Sequence, residues 1–463
     1  MFCSEYAKLI ISDLSVHGFE AYLVGGCVRD SLLGKMPHDE DIATTAKPED
    51  VHSIFSSKAK VIDTGLKHGT VTVLMDGIPY EVTTARIDGE YQDCRHPANV
   101  IFTDSVKDDL SRRDFTVNAI AWNPDKGLLD PFDGQEDLRK RIIRAVGDPK
   151  HRFTEDALRM MRAVRFQAVL GFDIDPKTRD AIIENAHLIR NVSKERINDE
   201  ICKIILSKHP EYFKKLHEYG LLKYISSDID NIFGCAQKNP NHFLDVGDHT
   251  MLCMQGIEPD LVLRLTMLLH DIGKPPCKTT KDGVDHFYGH PKVSAELAEK
   301  FLKEYRFRNK DIKRIVYLIQ CHDMLGDLRN ASNPKKSVRK FVFSNYDQDD
   351  QFFLDFLKVK RADYYAHDTN FYEVKRSAPY LQFLKEELMA CLENPRQIKD
   401  LKVNGTDMLA CGVEPAYVKE MLLRLLRIVI NRPEANTRGE LLRSIEGEYK
   451  QMLNDKAAQA SHP

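Results

Sequence analysis

The chain of 463 residues lacks three features, each of which would have assigned it to a particular class of protein. It has no hydrophobic run near the roughly 18 residues that a membrane span needs, so we expect no membrane partner and a cytoplasmic location. Its ten cysteines form no C-x-x-C pair, which favours reduced thiols over a disulfide frame or a zinc site. The net charge of −3 gives no overall attraction to polyanions, so any nucleic acid must meet local basic segments such as Arg139–Arg144 or Arg159–Arg165.

The composition and the order of local patterns predict several domains. Hydrophobic residues make up 42% of the chain and charged residues 30%, as in ordinary globular proteins, and the length exceeds what one hydrophobic core usually covers. Short β-rich runs separated by Gly, Asp and Pro come first, whereas helical apolar periodicity dominates after Asp137. We therefore predict an α/β head followed by all-helical segments. The predicted parts are a head over residues 1–140, a helical neck and body over 141–235, a histidine-rich helical domain over 236–370 and a helical C-terminal region over 371–463.

A strand followed by two glycines and a helix is predicted in YLVGGCVRDSLLG. Glycine backbone can approach a phosphate group closely, and Arg29 adds charge-assisted hydrogen-bond donors beside it. The pair of glycines alone also fits a plain strand-to-helix turn. Cys27, in the same segment, is interpreted as a small apolar residue of the core rather than a catalytic thiol.

Two aspartates in the next segment, HDEDIATTA, indicate a divalent metal site. Alternate residues of an extended segment face the same side, so Asp39 and Asp41 can share one or two Mg²⁺ ions while Glu40 points away. Two-metal phosphate chemistry uses such a cluster, because one ion activates the attacking hydroxyl and the other neutralises the leaving group. Glu81 in PYEVTTAR is the predicted third catalytic carboxylate, with an ordinary solvent-facing strand glutamate as the alternative.

Six motifs in a fixed order resemble those of a known family. GGCVRDSLLG, DEDIATTA, EVTTAR, RRDFTVNAIAW, DPFDGQEDL and EDALRMMRAVRFQAVLGF follow one another as in the class II tRNA nucleotidyltransferase and bacterial poly(A) polymerase family. The resemblance implies a polymerase-β-like nucleotidyltransferase head, an all-helical neck and body, and a helix in NVSKERINDE that braces the nucleotide pocket. It assigns nucleotide binding to Gly26, Arg29, Arg113, Asp156, Arg159, Arg162 and Arg165.

The segment TEDALRMMRAVRF predicts a way to choose between bases. Thr154 is a good N-cap, and a helix that starts there places Asp156 and Arg159 three residues apart on one face. Cytosine and adenine present an amino donor beside a ring-nitrogen acceptor, so Asp156 can accept from the first and Arg159 can donate to the second, whereas uracil and guanine are mismatched. A surface salt bridge between the two side chains is the alternative. By the same helical geometry, Arg165 cannot share a face with Asp156.

Two further segments bear on the nucleotide site. In RRDFTVNA the motif selects Arg113, although Arg112 is an equally cationic alternative. The stretch RIDGEYQDCRHP is interpreted as a mobile loop, with Arg86, Asp88 and Arg95 as its charged candidates. In the family resembled, enzymes that add the final A retain such a loop, so its presence favours addition of the whole CCA sequence.

Histidines become frequent after residue 240 and form the series expected of an HD phosphohydrolase domain. The series comprises His249, the pair His270 and Asp271 in LLHDIGKP, His290, His322 and Asp363. Four of these match the core metal-ligand pattern: His249, His270, Asp271 and Asp363. Such ligands suit a second divalent metal ion such as Mn, Ni or Fe, which would activate water against a phosphate ester. A merely structural body that supports tRNA is the alternative.

Together these features predict an enzyme that adds CCA to the 3′ end of tRNA from CTP and ATP, with Mg²⁺ and with release of pyrophosphate. A poly(A) polymerase acting on other RNAs is the nearest alternative. A metal phosphohydrolase centred on the HD domain is the alternative of another class. The oligomeric state stays open.

Overall fold

The computed structural model describes residues 1–88, 100–238, 244–326, 332–367 and 371–460. The chain divides into two compact units. One comprises Met1–Phe233 with Phe301–Phe307, and the other comprises Gly234–Lys300 with Arg308–Pro463. Within the described residues, no helix combines the length and the apolar character needed to cross a membrane.

The first unit begins with a seven-stranded mixed sheet in the order β3-β4-β5-β2-β1-β8-β9. Its strands are β1 Ala21–Val24, β2 Ile42–Thr44, β3 Lys60–Gly65, β4 Thr70–Met75, β5 Ile78–Thr84, β8 Ala121–Asn123 and β9 Gly127–Leu129. Two short ladders stand apart from this sheet: β6 Arg86–Asp88 with β7 Val100–Phe102, and β10 Ile142–Ile143 with β11 Asp173–Ile174. The β-rich runs AYLVGG, KVIDTG, TVTVLM, PYEVTTAR and AIAWNP each contain a strand, and the predicted α/β head is therefore confirmed.

The pairing of β2 with β5 positions the acidic residues of the sheet. These two strands run parallel, with Ile42 opposite Val82, whereas the other pairs of the sheet are antiparallel. Ile42 and Val82 are both buried. Because side chains alternate along a strand, the preceding residues Asp41 and Glu81 lie side by side on the opposite face.

Helices surround this sheet and then make up the rest of the unit. They are α1 Glu5–Val16, α2 Gly26–Leu32, α3 Pro48–Phe55, α4 Val106–Ser111, α5 Gly134–Lys140, α6 Pro149–Glu155, α7 Leu158–Leu170, α8 Pro176–Asn185, α9 Lys194–Ile205, α10 Lys214–Glu218, α11 Leu222–Ile225 and α12 Ser227–Asp230. Helix α9 buries Ile197, Ile201, Ile204 and Ile205 and packs against α7. Each isoleucine buried in this way contributes about 1.5–3 kcal/mol, so this stripe fixes α7 against its neighbour.

The predicted helix start at Thr154 is wrong. Thr154 lies inside α6, where its hydroxyl donates to the carbonyl of His151 at 2.8 Å. Helix α6 ends at Glu155, and Asp156 adopts extended backbone angles (φ −142°, ψ 102°). Its carboxylate accepts the backbone N–H of Leu158 at 3.1 Å, so Asp156 satisfies one of the free donors at the start of α7.

Among its described residues, the second unit is helical apart from one hairpin, formed by β12 Thr279–Lys281 and β13 Val284–His286. The helices that follow α12 in the chain are α13 Val246–Gln255, α14 Leu261–Leu269, α15 Lys274–Cys277, α16 His290–Glu304, α17 Asn309–Cys321, α18 Pro334–Ser344, α19 Asp350–Ala366, α20 Phe371–Leu392, α21 Gly405–Ala410, α22 Val418–Asn431 and α23 Arg438–Ala460. Helices α13, α14, α17 and α19 pack together around the predicted metal ligands. In α22, residues such as Met421, Leu425 and Val429 recur on one face and form the core of the C-terminal helices.

Candidate functional site

A cavity of about 570 Å³ lies in the first unit where β1 meets α2. Seven arginines and four carboxylates line it: Arg29, Arg112, Arg113, Arg159, Arg162, Arg165 and Arg196, with Asp41, Glu81, Asp114 and Asp156. Except for Asp39, every candidate that the sequence predicted for catalysis or nucleotide binding in the head is in this lining. So many guanidinium groups around one cavity suit a highly charged anionic ligand.

Two carboxylates, Asp41 and Glu81, share one side of this cavity, and the charge of Asp39 acts on Asp41. Asp41 and Glu81 lie in the lining, whereas Asp39, two residues before Asp41, does not. Burial raises the pKa of Asp41, and the charges of Glu81 and Asp39 raise it further against the lowering effect of Arg113. Glu40 faces elsewhere, since its carboxylate accepts the backbone N–H of Ser4 at 2.8 Å. Arg113 offsets the repulsion among these carboxylates only in part, and a bound cation would relieve the remainder.

The turn into α2 requires glycine at one specific position. Gly25 has φ +76° and ψ −129°, a conformation that L side chains rarely adopt. A Cβ atom there would stand 2.9 Å from Nη1 of Arg113, whereas one at Gly26 would meet only Nη2 of Arg29 at 3.6 Å. The sequence pattern drew attention to Gly26, but the strict steric requirement belongs to Gly25.

The aromatic ring of Phe166 organises three of the arginines. The guanidinium carbons of Arg29, Arg162 and Arg165 lie 5.3, 5.6 and 4.1 Å from its centroid. Nη1 of Arg29 also donates to the side-chain oxygen of Asn118 at 2.7 Å. Cation–π contacts of this kind hold like charges near each other at little cost. Sequence reasoning missed Phe166, although its place on the same helix as the arginines was visible.

The neighbouring Arg112 and Arg113 share one buried carboxylate. Nε and Nη2 of Arg112 donate to Oδ1 of Asp109 at 2.9 and 2.5 Å, and Nη2 of Arg113 donates to Oδ2 at 3.2 Å. Burial raises the pKa of Asp109, but the two guanidinium groups outweigh it and the net shift is downward. Both arginines line the cavity, and only Arg113 lies against the Gly25 turn.

A second buried carboxylate, Asp114, fixes Arg162. Nε and Nη2 of Arg162 donate to Oδ2 of Asp114 at 2.8 and 2.5 Å, and the amide of Asn118 donates to Oδ1 at 3.1 Å. Burial raises the pKa of Asp114, yet the charge of Arg162 and these hydrogen bonds lower it to about 2. The pair therefore holds one arginine of the cavity in place through a charge that must stay ionised.

The stabilising effect of Asp114 should disappear in acid. A carboxyl whose pKa falls from 3.8 in the unfolded chain to about 2 on folding stabilises the fold above pH 3.8 and loses that effect as the pH drops through 2. We expect the difference in free energy of unfolding between wild type and Asp114→Asn to shrink by about 2 kcal/mol between pH 6 and pH 2. Denaturant titrations across that range measure it, and a difference independent of pH would contradict the pairing.

The two predicted base-reading residues are each held by another partner. The carboxylate of Asp156 accepts hydrogen bonds from Nη1 and Nη2 of Arg196 at 3.2 and 2.8 Å. Arg159 donates through Nη1 to Glu155 at 2.6 Å and through Nη2 to the carbonyl of Arg112 at 2.9 Å. The simple salt bridge considered between Asp156 and Arg159 is not among the ion pairs of the described residues, and both side chains line the cavity.

The structure also shows where the other predicted positions lie: Arg165, Arg86, Asp88 and Cys27. Arg165 lines the same cavity as Asp156, and its Nε lies 3.0 Å from a carboxylate oxygen of Glu200. The expectation that Arg165 and Asp156 face different sides assumed one continuous helix, and the chain leaves the helix at Asp156. Arg86 donates to the carbonyl of His68 at 2.9 Å. The backbone of Asp88 ends β6, and Arg95 lies outside the described residues. Cys27 is buried, and burial raises the pKa of its thiol to about 11, which fits its interpretation as a core residue.

In the second unit, the structure brings the four predicted HD ligands together. Nε2 of His249 lies 3.1 Å from Oδ1 of Asp363, and Nε2 of His270 lies 3.3 Å from Oδ2 of Asp271. All four side chains are buried. Sequence reasoning missed Cys253, one turn after His249, whose Sγ lies 3.4 Å from Nε2 of His249. His249, Cys253, His270 and Asp363 form a group that could hold a metal ion.

Comparison with known proteins assigns both units to one family. Family models match the chain at residues 21–144 (poly A polymerase head domain), 171–233 (probable RNA and SrmB-binding site of polymerase A) and 241–366 (HD domain). The crystal structure of the Bacillus stearothermophilus CCA-adding enzyme in complex with CTP has 31% sequence identity and a TM-score of 0.69. That alignment covers 97% of this chain and 98% of the other. The chain belongs to the family of CCA-adding enzymes.

Curated members of the CCA-adding enzyme family are closer in sequence over a shorter stretch. The enzyme of Lactobacillus delbrueckii subsp. bulgaricus is 53% identical over 216 residues, which cover 46% of this chain and 54% of that protein. The enzyme of Geobacillus stearothermophilus is 54% identical over 196 residues, which cover 42% and 48%. The match thus spans about half the length of these curated relatives.

A structure of the Thermotoga maritima CCA-adding enzyme complexed with tRNA shares the fold, with a TM-score of 0.63 and 18% sequence identity. That alignment covers 96% of this chain and 95% of the other. The predicted family and the predicted fold class, a nucleotidyltransferase head followed by a helical body and an HD domain, are confirmed. Membership of a nucleotidyltransferase family implies a divalent metal, and the structure contains groups of side chains that could bind one.

Proposed function

We propose that this chain adds the CCA sequence to the 3′ end of tRNA from CTP and ATP and releases pyrophosphate. The observation that carries the proposal is the cavity of the head, where Asp41 and Glu81 share the lining with seven arginines and where Asp156 and Arg159 are held in place. The family adds support, because its members include a CCA-adding enzyme solved with CTP and another solved with tRNA. A triphosphate, a metal site and a base-reading pair fit within one cavity of this size.

Asp39 and Asp41 would hold Mg²⁺, with Glu81 as the third carboxylate. Oxygen ligands from carboxylates are those that Mg²⁺ prefers, and burial together with the negative charges of Glu81 and Asp39 raises the pKa of Asp41, which Arg113 offsets only in part. When bound, Mg²⁺ supplies activation of the attacking hydroxyl and neutralisation of the leaving pyrophosphate. The protein's part is to keep Asp41 and Glu81 side by side, through the parallel pairing of β2 with β5, with Asp39 two residues before Asp41.

The arginines would bind the triphosphate and orient it for attack by the RNA 3′-hydroxyl. Arg29 and Arg113 flank the Gly25–Gly26 turn, where bare backbone leaves room for phosphate. Arg162 and Arg165 approach from α7 over the ring of Phe166. Fixed guanidinium groups bind phosphate bidentately and need little reorganisation, which lowers the entropic cost of positioning.

Gly25→Ala should weaken nucleotide binding as well as stability. The positive φ of Gly25 predicts a loss of about 1–3 kcal/mol in free energy of unfolding, and the new methyl group must push Arg113 aside. Gly18→Ala is the matched control, because Gly18 also has a positive φ (+88°) but has nothing within 4 Å of the added carbon. We expect both variants to lose stability, but only Gly25→Ala to raise KM for CTP. Equal KM values in the two variants would contradict the placement of Arg113.

Asp156 and Arg159 would select the base. Arg196 and Glu155 hold the two side chains, so the acceptor on Asp156 and the donor on Arg159 are presented in fixed positions. Cytosine and adenine satisfy both groups, whereas uracil and guanine leave two buried polar groups mispaired at about 1–3 kcal/mol each. One pocket can then serve both nucleotides without a template.

The tRNA would be held by the helical parts of the chain through its phosphates and shape. This proposal keeps the division into a head over residues 1–140, a neck and body over 141–235, an HD domain over 236–370 and a C-terminal region over 371–463. A tRNA transcript that lacks CCA, incubated with CTP alone, ATP alone or both, tests the function. We expect two added nucleotides with CTP and three with both. A long tail made from ATP alone would instead establish the poly(A) polymerase alternative.

The HD domain supports a second activity, hydrolysis of phosphate esters with a metal ion such as Mn, Ni or Fe at His249, His270, Asp271 and Asp363. The observation that favours it is the convergence of these buried ligands beside a cavity of about 320 Å³. A phosphatase assay on the full chain separates the two activities. His270→Ala should abolish hydrolysis and leave CCA addition intact, whereas unchanged hydrolysis would exclude this site.

A further inference from the structure

Helix α9 holds part of the nucleotide cavity from one of its faces. Arg196 binds the carboxylate of Asp156 through Nη1 and Nη2 at 3.2 and 2.8 Å. One turn later, a carboxylate oxygen of Glu200 lies 3.0 Å from Nε of Arg165. Asp156, Arg165 and Arg196 all line the cavity. The position of α9 therefore determines where the acceptor of Asp156 stands.

The first turn of α9, which carries Arg196, lacks a capping side chain. The first four backbone N–H groups of a helix have no partner within the helix, and helix ends fray unless other groups satisfy and hold them. Ser193 is the N-cap residue, but among the described residues its hydroxyl makes no capping hydrogen bond. The contacts that keep Arg196 beside Asp156 must therefore include some from outside the helix.

The segment Phe301–Phe307, which belongs to the same compact unit as α9, supplies such contacts. Nζ of Lys194 donates to the hydroxyl of Tyr305 at 3.0 Å and lies 2.8 Å from a carboxylate oxygen of Glu304. One turn later, the side-chain amide of Asn198 donates to the carbonyl of Tyr305 at 2.7 Å. These two positions of α9 each precede by two residues a position that holds the cavity, a rotation of about 200°. The segment therefore binds the opposite face of the helix.

Tyr305 connects the first turn of α9 to a second helix. Its side chain is 0% exposed, and its hydroxyl donates to the carbonyl of Ile225, at the end of α11, at 2.8 Å. The hydroxyl thus uses its proton on Ile225 and accepts from Lys194. Nζ of Lys194 also lies 4.5 Å from the centroid of the ring, within the range of a cation–π contact. One phenol therefore fixes the uncapped turn to the helical body.

We propose that Tyr305 is a positioning residue for base selection, because it fixes the first turn of α9 and thereby Arg196 and the carboxylate of Asp156. The inference rests on the proposed addition of CCA. Selection by polarity requires an acceptor held within about 0.5 Å of its place, since a side chain with more freedom can adapt to the wrong base. Tyr305 meets this requirement through the helix, without touching the nucleotide.

Tyr305→Phe tests the inference, because it removes the hydroxyl and keeps the ring. The segment should stay docked through its other buried side chains, Phe301, Leu302 and Phe307. We expect the preference for CTP over UTP, measured as the ratio of kcat/KM values on a tRNA lacking CCA, to fall by about 3–10-fold, the effect of one lost hydrogen bond. Amide hydrogen exchange in the first turn of α9 should become faster by a similar factor. The kcat for CTP should stay within about twofold.

Tyr380→Phe is the matched control. Tyr380 is also buried and donates its hydroxyl to a backbone carbonyl, that of Leu325, but it lies in the other compact unit. This variant should lose stability as Tyr305→Phe does, yet keep the wild-type preference for CTP and the wild-type exchange of α9. An equal loss of preference in both variants would reduce Tyr305 to an ordinary core residue and overturn the inference.

A double-mutant cycle shows whether Tyr305 acts through Asp156. Because Asp156→Asn removes the group that Tyr305 positions, adding Tyr305→Phe to that variant should leave its CTP preference unchanged. Losses that multiply in the double variant would mean that Tyr305 affects selection by another route, against the inference.

The remaining outcomes are also decisive. An unchanged preference in a folded Tyr305→Phe protein would overturn the inference. If circular dichroism shows that this variant does not fold, Lys194→Met replaces it, because it removes the same hydrogen bond from the other partner and should cause the same loss. A wild-type chain that adds no nucleotide would overturn the proposed function and with it the role in selection, whereas faster exchange in Tyr305→Phe would still establish that Tyr305 fixes α9.

Discussion

Asp41→Asn should lower the rate of nucleotide addition by about 10³-fold, the largest loss that any single change in the head is expected to cause. Neutralising charge in the transition state is worth several kcal/mol at a metal site, and about 4 kcal/mol corresponds to a factor of 10³. Asparagine keeps the shape of Asp41 but removes the charge beside Glu81 and Asp39. Single-turnover rates of CMP addition to a tRNA lacking CCA, at saturating CTP, measure the loss.

The neighbouring Glu40→Gln is the matched control for this change. Glu40 is adjacent in sequence and also acidic, but its carboxylate binds Ser4 at the start of α1 instead of facing the cavity. Its effect on the rate should stay within about twofold, as for a substitution away from the site. Comparable losses in both variants would mean that the aspartate pattern is structural and that the metal is held elsewhere.

Asp156→Asn should produce the second largest effect, a loss of selection rather than of chemistry. An asparagine side chain offers a donor as well as an acceptor, so the carbonyl of uracil can be satisfied where Asp156 would repel it. We expect the preference for CTP over UTP, measured as the ratio of kcat/KM values, to fall by about 10–100-fold, which corresponds to the 1.4–2.8 kcal/mol of one mispaired buried group.

Asp180→Asn serves as the control for selection, because Asp180 is exposed on α8 and pairs only with Arg179 among the ion pairs of the described residues. Its CTP preference should equal that of the wild type. The thermal unfolding of Asp156→Asn should be recorded as well, since the change leaves Arg196 with a weakened partner. An unchanged preference in a folded Asp156→Asn protein would exclude Asp156 from base reading.

The sequence allowed prediction of whatever depends on strand periodicity and residue type. Asp41 and Glu81 come together because each precedes a buried residue of two paired strands, and alternation along an extended chain is visible without coordinates. The order of the motifs likewise allowed the succession of head, helical body and HD domain to be predicted. Strand alternation depends on residues adjacent in the sequence, and the order of domains follows from motifs that resemble those of the family.

What could not be predicted depends on local competition for hydrogen bonds and on distant contacts. Asp156 interrupts the helix because its carboxylate competes for a backbone N–H, and periodicity alone gave one continuous helix with Thr154 as its cap. The need for glycine at position 25 arises from Arg113, which lies far along the chain. The grouping of His290 with His322 around one oxygen of Asp271 follows from ring orientation, which spacing does not encode.

The most direct test of the central claim is to read the nucleotides that the protein adds. A tRNA transcript lacking CCA should be incubated with the full chain, Mg²⁺ and all four nucleotides at equal concentration, and its 3′ ends sequenced. We expect ends that terminate in CCA, and such ends should form about a thousandfold more slowly in the parallel reaction of Asp41→Asn. Ends that carry runs of A, or uridine and guanosine in proportion to their supply, would contradict it.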